Sequence, residues 1–301
     1  MNMSDAEAGF KSGFVSIAGM PNVGKSTLLN RILGEKVSII SKKPQTTRNR
    51  ILGIAHQPLS QIVFIDTPGI HRAKDRFNTR IVETALSALK EVDLILWVID
   101  AALPDPVSEN LLTYTLKPLN KPVILALNKI DLVKKPLLLS LIDTLSKAYA
   151  FEEIIPISAQ KGTQVEKLIS VIEKLLPYGP AFFPEDSLTD LPERFLSAEL
   201  IREKVFHLTG QEIPYATAIT IEAFTENKKK ALTTIHATIH VERDSQKGIL
   251  IGKSGSKLRR IGEEARKDIE NMLGNRVFLK LFVHVQKNWR QDTKALRRFG
   301  Y

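Results

Sequence analysis

Gly19-Met20-Pro21-Asn22-Val23-Gly24-Lys25-Ser26-Thr27 is the stretch that decides the fold. It follows the apolar run Phe14-Val15-Ser16-Ile17-Ala18 and precedes Leu28-Leu29-Asn30-Arg31-Ile32-Leu33, which has a helical pattern. Strand, glycine-rich loop and helix form the context in which G-x-x-x-x-G-K-[ST] binds phosphate. The two glycines let the loop wrap closely around a triphosphate. Its backbone N–H groups, with the helix N-terminus behind them, face the anion. Lys25 supplies a mobile charge for the outer phosphates, and the Ser26 hydroxyl can hold Mg²⁺.

Working outward, strand and helix patterns alternate. Strands are expected at Phe14–Ala18, Arg50–His56, Gln61–Asp66, Val92–Asp100, Pro122–Leu127 and Ile154–Ile157. Helices are expected at Ser26–Leu33, Asn78–Glu91, Ser108–Leu116, Leu137–Tyr149 and Val165–Leu176. That alternation argues for an α/β domain with a doubly wound, mostly parallel sheet. Val37–Asn49 is polar and basic, and is expected as a mobile loop.

Five prolines or glycines then punctuate Pro177–Pro192, a linker composition. The expected division is therefore a lead-in over 1–13, a nucleotide domain over 14–177 and a linker over 178–192. A second, α+β domain spans 193–290, and a basic tail spans 291–301.

Composition sets outer limits. A chain of 301 residues with 43% apolar content holds about two domains with ample core. The absence of cysteine excludes disulfides and thiolate metal sites. Met1–Gly13 carries Asp5 and Glu7 and lacks an apolar targeting segment. The net charge is +10, and Arg243–Tyr301 alone holds 15 basic residues against 6 acidic ones. This field calls for a polyanionic partner.

Three later motifs choose the nucleotide. Asp66-Thr67-Pro68-Gly69 ends a strand, where a carboxylate can approach Mg²⁺ through water and the Gly69 N–H can reach a γ-phosphate. Asn128-Lys129-Ile130-Asp131 ends a buried strand. Asp131 can accept from the N1–H and 2-amino group of guanine, whereas adenine would leave a buried carboxylate unpaired, which is expensive. Ser158-Ala159-Gln160 ends the last strand and offers a backbone N–H to the guanine carbonyl. All lie at the strand ends where open α/β sheets bind ligands.

With these residues in place, the chain resembles the Ras-like GTPases, and within them the branch that includes the Era family. Lys42-Lys43-Pro44-Gln45-Thr46-Thr47-Arg48 resembles that family's switch I, and Asp66 to about Arg80 its switch II. The resemblance implies that Thr46 or Thr47 completes the Mg²⁺ shell, and Thr47 is favoured. It also implies catalytic roles for Lys25, Thr47 and Gly69. Ile70 stands where Ras-like proteins place a water-orienting glutamine, and it cannot hydrogen-bond a water. His71 is nearby. In relatives with Asn22 at this place, the asparagine helps hold K⁺ against the phosphates; the plainer reading is that it shapes the loop.

The second domain is expected as a helix, Glu193–Leu208, two strands, Ala216–Glu226 and Leu232–Arg243, a short helix before Gly252-Lys253-Ser254-Gly255, a helix Ser256–Leu273 and a strand Val277–Val285. This order resembles a type II KH domain, whose G-x-x-G loop clamps about four single-stranded nucleotides. Lys253, Ser254, Lys257, Arg259 and Arg260 would meet phosphates. Ile249, Leu250 and Ile251 would line an apolar floor, or pack in the core. The tail aromatics Trp289, Phe299 and Tyr301 either extend the RNA surface or pack on the domain. The histidines show no convergent ligand spacing, so no zinc site is expected.

A GTPase followed by a type II KH domain is the Era arrangement. It implies a GTP/GDP switch that needs Mg²⁺, binds single-stranded RNA near the 3′ end of small-subunit ribosomal RNA and assists small-subunit maturation. It further implies a cytoplasmic protein with peripheral membrane contact. A monomer is expected, because no long heptad is present. The rival reading is a constitutive RNA-binding protein whose nucleotide domain is structural. A P-loop kinase for a small metabolite is a third, disfavoured by Asn128–Asp131.

Overall fold

The structure is a computed structural model that describes residues 9–41, 43, 46–70, 76–210 and 212–301. His71, Lys42, Pro44, Gln45 and residues 1–8 of the lead-in lie outside the described residues. The chain divides into two compact units.

The first unit is built on a six-stranded sheet in the order β2-β3-β1-β4-β5-β6. The strands are β1 (Lys11–Ala18), β2 (Ile51–Gln57), β3 (Ser60–Asp66), β4 (Leu94–Asp100), β5 (Val123–Asn128) and β6 (Glu153–Pro156). Only β2 runs antiparallel, paired with β3. The interleaved helices are α1 (Lys25–Leu33), α2 (Arg76–Ala88), α3 (Pro106–Leu116), α4 (Lys135–Ala148) and α5 (Val165–Leu175). β4 and β5 are buried along almost their whole length, which is why they read as continuous apolar runs. α5 shows the opposite pattern: Val165, Leu168 and Ile172 are buried at helical spacing.

Three features differ from the sequence expectation. β1 begins at Lys11, inside the expected lead-in, because Lys11 to Ile17 pair in parallel with Ser60 to Asp66. Residues 178–190, read as linker, hydrogen-bond along the first unit. Gly179 N donates to Phe10 O, both Phe182 N and Phe183 N donate to Gln61 Oε1, and Ile54 N donates to Leu188 O. The prolines set an extended backbone whose polar groups find partners on the sheet edge. Finally, the expected mobile loop is anchored at both ends: Val37, Ser38 and Ile39 are buried, as are Thr47 and Arg48.

The second unit has a three-stranded sheet, β7 (Ala218–Asn227), β8 (Leu232–Val241) and β9 (Arg276–Val285). β7 and β8 are antiparallel, with a bulge between Ile221 and Ala223. β8 and β9 are parallel. Its helices are α6 (Glu193–Leu208), α7 (Asp244–Ile251), α8 (Ser256–Leu273) and α9 (Thr293–Arg298). α8 buries Ile261, Ala265 and Ile269 on one stripe. Each fully buried isoleucine there stabilises the fold by about 1.5–3 kcal/mol. The same core takes Ile235, Ile239 and Val277 from the sheet and Leu250 from α7.

This unit also takes in Ile39, Ile40, Ser41, Lys43 and Thr46. Within it, Ile40 N donates to Glu203 Oε1 at 3.1 Å, and Arg202 Nη2 donates to Thr46 O at 2.5 Å. The Lys43 ammonium donates to the carbonyls of Phe206 and Thr209, at the C-terminal end of α6. A cation suits that end of a helix dipole.

The tail packs on this unit. Trp289 is fully buried and its Nε1–H donates to Ala216 O at 3.0 Å, while its ring stacks with Tyr301 at 5.9 Å. Of the two readings of the tail aromatics, packing describes Trp289 and Phe299. Among the described residues, no helix is long and apolar enough to cross a membrane.

Candidate nucleotide site and RNA surface

The carboxyl ends of β1, β3, β4, β5 and β6 deliver the phosphate loop, Asp66, Asp100, Asn128 and the Ser158 loop to one edge of the first unit's sheet. In the loop, Gly24 has φ +101, and a Cβ there would stand 2.2 Å from Asn128 Nδ2. Only glycine admits that approach. Among the described residues no side chain caps the start of α1, so its first N–H groups face the loop's hollow. Lys25 Nζ donates to Gly19 O at 3.1 Å and Met20 O at 2.8 Å, holding the hollow open. Burial lowers the Lys25 ammonium to about 8, although the Asp66 carboxylate acts in the other direction.

Asp66 is the centre of a hydroxyl cluster. Its Oδ2 accepts from Ser26 Oγ at 2.7 Å, Ser38 Oγ at 2.8 Å and Thr47 Oγ1 at 3.3 Å. Ser26 Oγ and Thr47 Oγ1 are 3.0 Å apart. Asp66 Oδ1 is buried with no hydrogen-bond partner among the described residues. Burial pushes the Asp66 carboxyl upward, against Lys25 and the three hydroxyls. A buried carboxylate oxygen without a donor, beside two hydroxyls, is an all-oxygen set that fits a hard divalent cation such as Mg²⁺. Thr46 is not part of it; its hydroxyl donates to Lys43 O.

Thr67 Oγ1 donates to Ile17 O, and Ile70 N donates to Gly19 O at 3.2 Å, so Asp66–Ile70 is bound to the strand and loop beside it. Ile70 is buried in the core and presents no side chain to the phosphate hollow.

At the base end, Asn128 works in both directions. Its Nδ2 donates to Val23 O at 2.8 Å, and its Oδ1 accepts from Ala159 N at 2.9 Å. Lys129, in a left-handed conformation, donates to Asn22 O at 2.8 Å and to Asp100 Oδ2 at 2.5 Å. Ser158 and Ala159 are buried and Gln160 is exposed. Asp131 is exposed. Its discrimination against adenine would come only when a base covers it.

Four residues here escaped the sequence reading: Arg31, Asn30, Ser38 and Asp100. Asn30 Oδ1 accepts from Val37 N and Ser38 N, and its Nδ2 donates to Ser38 O. Only Asp100 had a visible signal, a carboxylate closing an apolar strand. The others act through contacts across the chain that no local spacing records.

In the second unit, α7 and α8 are joined by Gly252–Gly255. Ser254 (φ +52) and Gly255 (φ +79) turn left-handed, and Gly252 (φ +71, ψ 178) takes an extended positive-φ conformation. Lys253, Arg259 and Arg260 are exposed, and Lys257 is half-buried. Arg260 pairs with Glu264 at 2.8 Å. Ile249 is exposed and Ile251 half-buried, so both can meet a base. Leu250 is fully buried in the core and leaves the proposed floor. Among the described residues no side chain caps α8, whose first N–H groups follow the loop.

Comparison with known proteins finds relatives of both units. Residues 14–129 match the family model described as "50S ribosome-binding GTPase", and residues 212–290 match "KH domain". The chain is 54% identical over 292 residues to GTPase Era of Geobacter metallireducens, covering 97% of this chain and 98% of that one. It is 49% identical to GTPase Era of Heliobacterium modesticaldum, covering 97% of each. Two solved structures superpose with a TM-score of 0.94 at 45% identity, over 97% of this chain and 99% of theirs. One is a variant of Aquifex aeolicus Era bound to GDP.AlF4⁻, and the other is Era with MgGDPNP and nucleotides 1506–1542 of 16S ribosomal RNA.

Proposed function

This chain belongs to the Era family of GTPases, and on that footing we propose that its first unit hydrolyses GTP at the Asp66 cluster to switch a second unit that binds single-stranded ribosomal RNA. The observation that carries the reading is the convergence of Ser26, Ser38 and Thr47 hydroxyls on one oxygen of Asp66 while the other, buried, has no partner among the described residues.

The residues divide the work. The N–H groups of the Gly19–Thr27 loop, Pro21 excepted, cradle the phosphates, Lys25 balances their charge, and the Gly69 N–H meets the γ-phosphate. Ser26, Thr47 and Asp66 would hold Mg²⁺. When bound, Mg²⁺ neutralises charge on the β- and γ-oxygens. Ile70, set in the core, leaves water placement to backbone groups. Asn22 would hold K⁺ in the place of an arginine finger. Asn128, Lys129, Asp131 and the Ser158-Ala159-Gln160 loop fix guanine.

The switch has a physical route. Thr47 follows directly on Thr46, whose carbonyl, with Ile40 and Lys43, is hydrogen-bonded within the second unit to Arg202, Glu203 and the end of α6. Nucleotide that orders Thr47 therefore pulls on a segment belonging to the RNA-binding unit.

We place the RNA strand on Gly252–Gly255 with Ile249, Ile251, Lys253, Lys257, Arg259 and Arg260, and the task in small-subunit maturation, carried out in the cytoplasm by a monomer. Any membrane contact would be peripheral and electrostatic.

The test has two arms. Phosphate release from GTP alone, without an acceptor, is expected, and is expected to vanish in Lys25→Ala. A requirement for a small-molecule acceptor would make it a kinase. RNA affinity is expected to differ between GTP-analogue and GDP states, by linkage with nucleotide affinity. Equal RNA affinity, with Lys25→Ala retaining the cellular task, would favour the constitutive RNA-binding reading.

A further inference from the structure

We propose that the outer face of the second unit's sheet, along β9, is a further binding surface for single-stranded RNA, which stacks bases on Phe278 and Phe282 and meets phosphates with Arg276 and Lys280. This rests on the reading above that the unit binds RNA at Gly252–Gly255.

β9 is an edge strand with a strict alternation. Val277, Leu279, Leu281, Val283 and Val285 turn to the core. Arg276, Phe278, Lys280, Phe282 and His284 turn outward. Phe278 is 54% exposed and Phe282 44%. An outward face needs no aromatic ring for folding, because the core lies on the other side. Two exposed rings separated by a lysine are not a continuous apolar patch of the kind a protein partner covers. They match the pattern for single-stranded nucleic acid: aromatic platforms interleaved with cations.

The neighbours agree. Phe278 lies beside Thr234, Lys280 beside His236 and Phe282 beside Thr238. β8 and β9 carry no acidic residue on this face. On β7, Glu222 accepts from Thr220. The rings are four residues apart, about 13 Å along a strand. They therefore take alternate bases rather than adjacent ones, and Lys280 falls between them, its Nζ 5.0 Å from the Phe282 ring centre. The far end of the face is closed, since Phe299 covers His240 at 4.5 Å. The open part runs from Arg276 to Phe282. α7 and α8 pack on the inner face, so a strand leaving the Gly252–Gly255 loop reaches this surface by passing the β9 edge.

The test uses the full chain and two probes: nucleotides 1506–1542 of 16S ribosomal RNA, the fragment held by the solved relative, and pentanucleotides tiled along it. Phe278→Ser/Phe282→Ser is expected to lose about tenfold or more in affinity for the long fragment, since stacking is sequence-tolerant and strong, and to keep wild-type affinity for the best pentanucleotide. Lys280→Glu, a single exposed change, is expected to weaken the long fragment and reduce the salt slope by about one. Lys253→Asp/Ser254→Asp is expected to weaken both probes. Wild-type affinity of the phenylalanine variant for the long fragment, or an equal loss on both probes, would overturn the proposal. If only the loop variant loses RNA, this surface falls and the loop reading stands. If the loop variant also keeps RNA, both fall. A change in sedimenting mass without a change in RNA affinity would assign the face to contact between copies instead.

Discussion

Arg31 ties the helix behind the phosphate loop to the loop behind the base: its Nε donates to Ala159 O at 3.1 Å and its Nη2 to Gln160 O at 2.5 Å. The Ser158-Ala159-Gln160 loop is thus held from both sides, by Arg31 on its carbonyls and by Asn128 on the Ala159 N–H. Two such bonds together contribute about 1–2 kcal/mol. Arg31→Ala is expected to weaken GDP and GTP alike by roughly tenfold, because the base loop does not sense the γ-phosphate. Arg31→Lys is expected to recover part of the loss. Equilibrium binding of fluorescent GDP and GTP analogues checks this, and a loss confined to one nucleotide would refute it.

Asn30 does for the Val37–Ser38 segment, which leads into the loop carrying Thr47, what Arg31 does for the Ser158–Gln160 loop. Three hydrogen bonds from one amide hold Val37 and Ser38, and Ser38 in turn reaches Asp66. Asn30→Ala is expected to speed hydrogen exchange at the Val37 and Ser38 amides. It is also expected to weaken a GTP analogue more than GDP, since only the triphosphate state requires the loop that carries Thr47 to be ordered. Equal losses on both nucleotides would show that the clamp serves stability alone.

Much of this was legible in the sequence because it is local. Glu193–Leu208 and Ser256–Leu273 form as helices over the ranges read from their patterning and flanking prolines or glycines. The buried strands announced themselves as apolar runs. What was illegible is what two distant segments do together. Arg31 and Gln160 are far apart in sequence, and nothing local in Arg31 separates it from any solvated helix arginine. Residues 178–190 have a linker's composition, yet their backbone finds acceptors and donors on the first unit, a matter of tertiary register. Asp131 is exposed in the chain alone, and its selectivity needs a base to cover it, which no sequence pattern shows.

Asn22 stands in a left-handed conformation with φ +65, and its carbonyl accepts from Lys129. Its backbone therefore shapes the loop, while its side chain is what the K⁺ proposal needs. The two roles separate by experiment. GTP turnover is expected to be faster in K⁺ than in Na⁺ at equal ionic strength, and Asn22→Ala is expected to abolish that difference. Equal turnover of the unaltered protein in both salts would leave Asn22 with the backbone role only.

His240 makes the stability of the second unit pH-dependent in a defined direction. Its Nε2 is 2.8 Å from Thr220 Oγ1, and the Thr220 hydroxyl proton is committed to Glu222 Oε1 at 2.6 Å. Nε2 must then carry the hydrogen, which leaves Nδ1 as a buried nitrogen with no partner among the described residues. Protonation would place a second N–H there with nothing to accept it. Burial is the main cause that pushes the imidazole down from 6.5 to about 4; His284 and Arg298 act the same way, and Glu222 opposes them. Above pH 6.5 neither the folded nor the unfolded chain protonates it. Between pH 6.5 and 4 the unfolded chain binds a proton that the folded chain refuses, so stability falls with pH through that window and levels off below it. Allowing for the solvent around the site, the loss is about 1–2 kcal/mol. Thermal unfolding from pH 7 to 4.5 is expected to show a steeper decline for the unaltered protein than for His240→Gln, whose amide can still donate to Thr220 but does not titrate. All other ionisable groups are common to both, so parallel curves would show that His240 contributes nothing to the pH dependence.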